Sequence, residues 1–422
     1  MSEKKSKKSF SPLALWKLLG PGLITGAADD DPSGIATYSQ AGAQYGLGTL
    51  WTALITFPLM AAVQEMCARI GFVTSRGLTG ILKANYPRPV LWLMVLFSFP
   101  AIVLNIGADI AGMGAVANLI FPQVPAIGFS IVFTALLLLA IIWLPYQKVA
   151  AVLKWLCAVL LVYLVVPFLA KTNWADVARH TFIPHIEFNA DFLNVLVAIL
   201  GTTISPYLFF WQATMEVEEN KHAKAVVVDK RHIKQIGFDV DIGMFFSNIV
   251  MFFIILTAGA VLFPGGIRQI DTVEQAAKAL QPLAGPWAYY LFAVGVVGTG
   301  FLAIPVLSGS LSYVVSEAFG WQEGLDKKFH EAPAFYGVII VSLLVGLAIN
   351  YVGISPVQAL IWSAILYGVT SPVIIAIVMH ISNNKAVMGK FTNGFWSNLL
   401  GLATWVLMTA SAGCLIWFQF FH

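Results

Sequence analysis

Six residues, Asp29-Asp30-Asp31-Pro32-Ser33-Gly34, interrupt an apolar run that otherwise extends from about Ala14 to Tyr45. A charged side chain at mid-bilayer costs about 2.5–3.5 kcal/mol on insertion scales, so three in a row demand a reason. Pro32 has no backbone N–H and cannot bond the carbonyl of Ala28, four residues earlier. Gly34 adds backbone freedom where a helix would otherwise continue. The stretch predicts a membrane helix broken at its centre, with carboxylates and bare carbonyls gathered at the break. Broken helices at the midplane are where membrane carriers hold ions. A short hairpin loop at the membrane surface is the plainer alternative.

The chain around this stretch is built for lipid. Of 422 residues, 59% are hydrophobic and 11% charged; the mean hydropathy is +0.81. Soluble domains carry about 25% charged residues, so the composition predicts an integral membrane protein. Cys67, Cys157 and Cys414 lie far apart in apolar runs and read as small core residues, neither a disulfide frame nor a metal cluster. Met1 to Lys8 is basic, but no cleavage site follows the next apolar run. This argues for a cytoplasmic tail over a cleaved signal.

Spanning runs fall at about 14–45, 47–73, 89–121, 125–145, 149–170, 190–216, 240–264, 287–317, 335–352, 356–381 and 397–419, eleven in all. With the N-terminus inside, twenty of the 24 Lys and Arg residues fall on the inner side. That bias supports a cytoplasmic-membrane protein with its C-terminus outside. The polar stretch Glu216 to Asp239 reads as a solvated inner connector. A second break, Gly201-Thr202-Thr203-Ile204-Ser205-Pro206-Tyr207, sits in the sixth span, where Pro206 frees the carbonyl of Thr202. Breaks in spans one and six, each opening a set of five, form the pattern of two inverted repeats. The expected organisation is a tail at 1–13, repeats at 14–170 and 190–381, and an additional helix at 397–419.

The donors gathered at the breaks are oxygens: Asp31, the carbonyls of Ala28 and Thr202, and the hydroxyls of Ser33 and Ser205. Such sets suit hard cations such as magnesium, calcium or manganese. No thiolate or thioether is placed at either break, and no histidine falls in mid-span, which disfavours a soft-metal cage. Asp29 and Asp30 would repel Asp31, and one or both are expected to face an aqueous vestibule that concentrates cations. Asp109, a lone acid in the third span, is a candidate for a proton relay or for a structural, hydrogen-bonded acid. Glu65 and Arg69 are spaced to pair on one helical face. Asn248 and Gln358 read as glue between helices, and Gln64 and Asn105 are further polar groups inside spans. No nucleophile elbow, phosphate loop or metal-spaced histidine pair is present, so neither an enzyme nor an ATP-driven pump is indicated.

Gly20-Pro21-Gly22, Asp31-Pro32-Ser33-Gly34, Ala36-Thr37 and Gln40-Ala41-Gly42-Ala43 resemble the first helix of the Nramp divalent-metal transporters. That family usually carries Asp-Pro-Gly-Asn there, followed by Gln-Ala-Gly-Ala. Ala68-Arg69, Gly71 to Thr74, Arg76 and Leu78 fit the end of its second helix, and Leu200 to Tyr207 its sixth. The resemblance implies a LeuT-like fold and uptake of manganese or iron with protons. It places the metal site at Asp31, Gly34, Thr202 and Ser205, with Asp31 the carboxylate and Thr202 a carbonyl ligand. Asp29, Asp30, Asp109, Tyr207 and Gln40 are left as candidates for a vestibule or proton pathway.

The departures from the family pattern matter as much. Gly34 stands for the family's asparagine ligand, Ser205 for its methionine and Tyr207 for its histidine. Ile106 replaces an acid one turn before Asp109, and the ninth-helix arginines are missing from Glu331 to Gly337. Together these argue against ordinary proton coupling and resemble the magnesium-transporting branch related to Nramp.

The sequence therefore predicts an alternating-access carrier of divalent cations, manganese or magnesium foremost, that retain part of their water shell. Metal ion and lipid bilayer are the expected partners, with no nucleic acid, no obligate protein partner and no resident cofactor. A sodium- or proton-coupled symporter for a small organic solute on the same fold is the competing reading, and a membrane-embedded metal sensor a third.

Overall fold

The computed structural model describes residues 21–144, 158–170, 172–222 and 229–421. Among them every regular element is helical. The first apolar run forms two helices, α1 (Pro21–Asp29) and α2 (Pro32–Tyr45). Then come α3 (Trp51–Thr74), the short α4 (Leu78–Asn85), α5 (Arg88–Ile120) and α6 (Ala126–Trp143). A surface helix α7 (Trp174–Phe182) precedes the second broken pair, α8 (Ala190–Thr203) and α9 (Pro206–His222). The remainder is α10 (Lys230–Val261), α11 (Ala288–Phe319), α12 (Pro333–Ile349), α13 (Pro356–Asn383) and α14 (Phe395–Phe421).

Nine described helical segments are long and apolar enough to cross a membrane, and they coincide with nine of the eleven expected spans. The first expected span is the broken α1–α2 pair. Of the fifth, 149–157 lies outside the described residues; the rest is a 3-10 helix at Ala158–Leu164 and one turn of α-helix at Val166–Leu169. The outward faces carry Val132 and Leu136 on α6, Leu344 and Val345 on α12, and Leu402 and Val406 on α14. Polar residues are buried instead, as expected where lipid replaces water outside.

The two broken helices lie inside this shell. The α1–α2 pair packs along α10, α8 packs on α13, and α9 on α3 and α11. Small residues allow the approach: a Cβ on Gly26 would strike the backbone of Gly243, and one on Gly201 the backbone of Ala364 and Gly368.

Several expectations are corrected. The connector 216–239 is helical at both ends, and Glu216 and Asp239 are buried; residues 223–228 lie outside the described ones. Between those ends Lys230, Arg231, His232, Lys234 and Gln235 are exposed, as a solvated connector requires. Gln358 is exposed on α13 and glues no helices. Cys414 is exposed on α14, while Cys67 is buried and Cys157 lies outside the described residues. Glu65 and Arg69 do pair, at 3.5 Å. Asn248 on α10 accepts from Thr56 of α3 at 3.1 Å, as interhelical glue should.

Candidate functional site

The first break follows from local chemistry. Asp31 takes an extended conformation (φ −71°, ψ 173°) as N-cap of α2, and its Oδ1 accepts from the Gly34 N–H at 2.7 Å. Aspartate is among the best N-caps, and proline suits the first helical turn because its missing N–H has no partner there. At the second break α9 also opens on a proline, Pro206. The carbonyls freed by these prolines are not bare. The Tyr207 hydroxyl donates to the Ala28 oxygen at 2.9 Å, and the Ser205 hydroxyl to Thr202 O at 2.5 Å and to Gly201 O at 3.1 Å. The reason is general: a buried carbonyl without a partner is expensive, and hydroxyls stand within reach.

The carboxylates are shared out among different helices. Asp31 accepts from Ser33 Oγ at 2.6 Å and, through Oδ2, from Asn105 Nδ2 of α5 at 2.8 Å. Asn105 in turn accepts from Ser363 of α13 at 2.8 Å. Asp29 points the other way and accepts from Ser247 of α10 at 2.6 Å. One oxygen of Asp29, one of Asp30 and both of Asp109 have no hydrogen-bond partner. Asp29, Asp30, Asp31 and Asp109 are 0, 3, 1 and 0% exposed. The expected vestibule placement of Asp29 and Asp30 is thus corrected: both are enclosed between α1, α2 and α10. Asp109 has no bonds of the structural kind. Among the described residues none of the four acids makes an ion pair. Buried charge without a counter-charge is strongly unfavourable, so each of these acids either holds a proton or meets a cation.

Around the acids, Ser33 Oγ lies 3.3 Å from Thr202 Oγ1, and the Tyr38 hydroxyl 2.9 Å from Thr203 Oγ1, joining α2 to α8. Gly34 contributes its N–H and no side chain. Tyr207 is fully buried, its ring 5.7 Å from that of Tyr367. Gln40 stands apart from this group. It bonds Gln44 and Arg268 O through Nε2 and takes the Ile270 N–H at 2.8 Å, tying α2 to the 268–270 loop. Away from the acids on the other side, Thr25 of α1 donates to Gln212 of α9 at 2.5 Å, and Gln212 donates within α9 to Glu216 at 2.9 Å.

Asn105 stood out in the sequence only as a polar group inside a span. Ser247, Ser363, Tyr38 and Tyr367 gave no signal, since hydroxyls in membrane helices are common. Among the described residues no three His, Cys, Asp or Glu side chains are grouped to hold a metal ion by themselves. Any ion here would rely on carbonyls, hydroxyls and water beside one or two carboxylates. The larger cavities, about 730 Å³ beside Trp143 and Lys328 and about 340 Å³ beside Arg76 and Glu218, do not reach the breaks. The site is closed on all sides.

The fold is shared with known proteins. The manganese transporter of Eremococcus coleocola, solved with an aromatic bis-isothiourea compound, superposes with a TM-score of 0.75 at 19% identity, over 99% of this chain and 88% of that one. MhsT, solved with L-phenylalanine, matches with a TM-score of 0.60 at 14% identity, over 94% and 98%. The fold is therefore LeuT-like. In sequence, the divalent metal cation transporter MntH of Caldanaerobacter subterraneus subsp. tengcongensis is 25% identical over 390 residues, covering 92% of this chain and 89% of the relative. The MntH of Verminephrobacter eiseniae is 24% identical over 386 residues, covering 89% and 83%. The family model described as "Natural resistance-associated macrophage protein-like" matches residues 22–418, which include both broken helices and every acid at the breaks. Over that length the kinship is not a matter of one motif, and the chain belongs to the Nramp family.

Proposed function

We propose that this protein moves divalent metal cations across the membrane by alternating access. The observation that carries the reading is Asp31: a buried carboxylate at the meeting of two broken helices, with an ion pair to no base among the described residues. Asp31 supplies the charge at the metal, the Thr202 carbonyl and the Ser205 hydroxyl supply neutral oxygens, and Gly34 leaves room for water beside them. An ion held by so few protein donors keeps part of its hydration shell, which suits magnesium and manganese. With serine where the family has methionine, no soft donor separates the two, and iron ranks behind both. Tyr207 does not titrate near neutral pH, so proton coupling through that position is not part of this reading. The N-terminus lies inside, residues 14–170 and 190–381 form the two repeats, and 397–419 is an added helix. Four acids leave no seat for a substrate carboxylate, which sets the organic-solute symporter aside.

The test is manganese influx into proteoliposomes, with and without excess magnesium, beside Asp31→Ala. Saturable influx that magnesium suppresses and the variant lacks is the expected result. No influx of either ion from folded protein would end the metal reading.

A further inference from the structure

Pro32 frees one carbonyl, that of Ala28, and the donor that takes it lies 179 residues away on the other broken helix. The remaining buried carbonyls at the breaks are capped differently. Thr202 and Gly201 are capped by Ser205 of the same turn, and Ile204 by Ser371 of α13, which packs on α8 along its length. Those caps move with the carbonyls they serve. Tyr207 does not: it belongs to α9, Ala28 to α1, and these two half-helices must part if the site is to open between them. The same seam holds Thr25–Gln212. The Tyr207–Ala28 bond is the innermost tie of this seam and the one that touches a carbonyl facing the acids.

We propose that the Tyr207 hydroxyl is a latch that takes the place of cargo at the Ala28 carbonyl, so that α1 and α9 can close with no cation between the breaks. This rests on the transport reading above. When the seam opens, the bond breaks, and the Ala28 oxygen must find a cation or water. When it closes around a cation, the ion satisfies the pocket. When it closes without one, the hydroxyl does, and the carrier can return unloaded to collect a further ion. Tyr207 is in this sense a positioning residue for the return step. A hydroxyl at this place serves a carrier that performs net uptake; an exchanger, which always crosses loaded, has no need of it.

The test separates two fluxes in proteoliposomes. Net uptake is measured with radioactive manganese outside and none inside; exchange is measured with unlabelled manganese inside. Tyr207→Phe keeps the ring against Tyr367 and removes only the hydroxyl. Its net uptake should fall about tenfold, the scale of one buried acceptor left unsatisfied during unloaded closure, with exchange held within about twofold. Retained exchange also shows that the variant folds. Ser371→Ala uncaps Ile204 in loaded and unloaded forms alike and should lower both fluxes together. If Tyr207→Phe leaves both fluxes unchanged, or lowers both equally, the latch is wrong. It is also wrong if Ser371→Ala produces the same split. Absence of both fluxes in the unaltered protein would instead remove the transport reading.

Discussion

The two breaks solve the same backbone problem with opposite chemistry. Each is a proline that opens a new helix and strips a carbonyl of its donor. The first break surrounds its carbonyl with three acids; the second has only hydroxyls and carbonyls. The acids are sent to different neighbours, Asp31 to Asn105 of α5 and Asp29 to Ser247 of α10. Of the second break's hydroxyls only Ser205 stays at home, capping Gly201 and Thr202, while those of Thr202, Thr203 and Tyr207 reach Ser33, Tyr38 and Ala28 of the first broken helix. One break thus provides charge, and the other provides neutral oxygens that adapt to whatever is bound. A site built this way should be very sensitive to charge at the first break and mildly sensitive to donor type.

Asp31→Asn puts the sharpest strain on that division. Asparagine is as good an N-cap as aspartate, so α2 keeps its start, and the loss is of the charge and of the oxygen that accepts from Asn105. Breaking a buried charge pair costs about 3–5 kcal/mol, and manganese uptake should fall by more than about a hundredfold. The shift in melting temperature that manganese gives the unaltered protein should vanish with it. Uptake within tenfold of normal would show that the first break's charge is not centred on Asp31.

Asp29→Asn and Asp30→Asn come next. Each removes a buried charge near the site, worth on the order of 1–2 kcal/mol to a cation at an effective dielectric of about 20. KM for manganese should rise about tenfold, measured by uptake. If either variant is as damaging as Asp31→Asn, the acids act as one cluster and their assignment to separate helices is irrelevant.

How much of this was legible beforehand depends on whether a feature is local. The breaks were readable because a proline or a carboxylate inside an apolar run is a local contradiction. Nine spans were readable from hydropathy for the same reason. What could not be read is where a freed group finds its partner. Pro206 showed that Thr202 O would need a donor, but not that Ser205 would supply it. Nothing local says that Tyr207 reaches Ala28, or that Asn105 bridges Asp31 and Ser363. The vestibule expected for Asp29 and Asp30 failed because solvent exposure is set by α10, far along the chain.

Gly34→Asn probes the neutral side of the comparison. A Cβ at Gly34 would sit 3.4 Å from Asp29 O, Thr202 Oγ1 and the Tyr38 ring, ordinary contact distance, so a Cβ can be added without displacing neighbours. An extra oxygen donor beside Asp31 should lower KM for manganese about threefold, since one more ligand replaces one of the waters the ion retains. An unchanged KM would mean that the cation does not lie against the Gly34 face of α2.

The smallest effect is expected at Gln40, which the family pattern had offered as a pathway residue. Its side chain is already committed, with Oε1 to the Ile270 N–H and Nε2 to Gln44 and Arg268 O, about nine residues beyond Asp31 along α2. Gln40→Ala would leave the buried Ile270 N–H without its acceptor, at a cost of about 1–3 kcal/mol to the seating of the 268–270 loop. The change should appear as a lower melting temperature, with manganese uptake altered by no more than about twofold. A loss of uptake approaching that of Asp31→Asn would return Gln40 to the ion's path. It would also mean that the first break extends its polar chemistry along α2 well beyond the Asp31 cap.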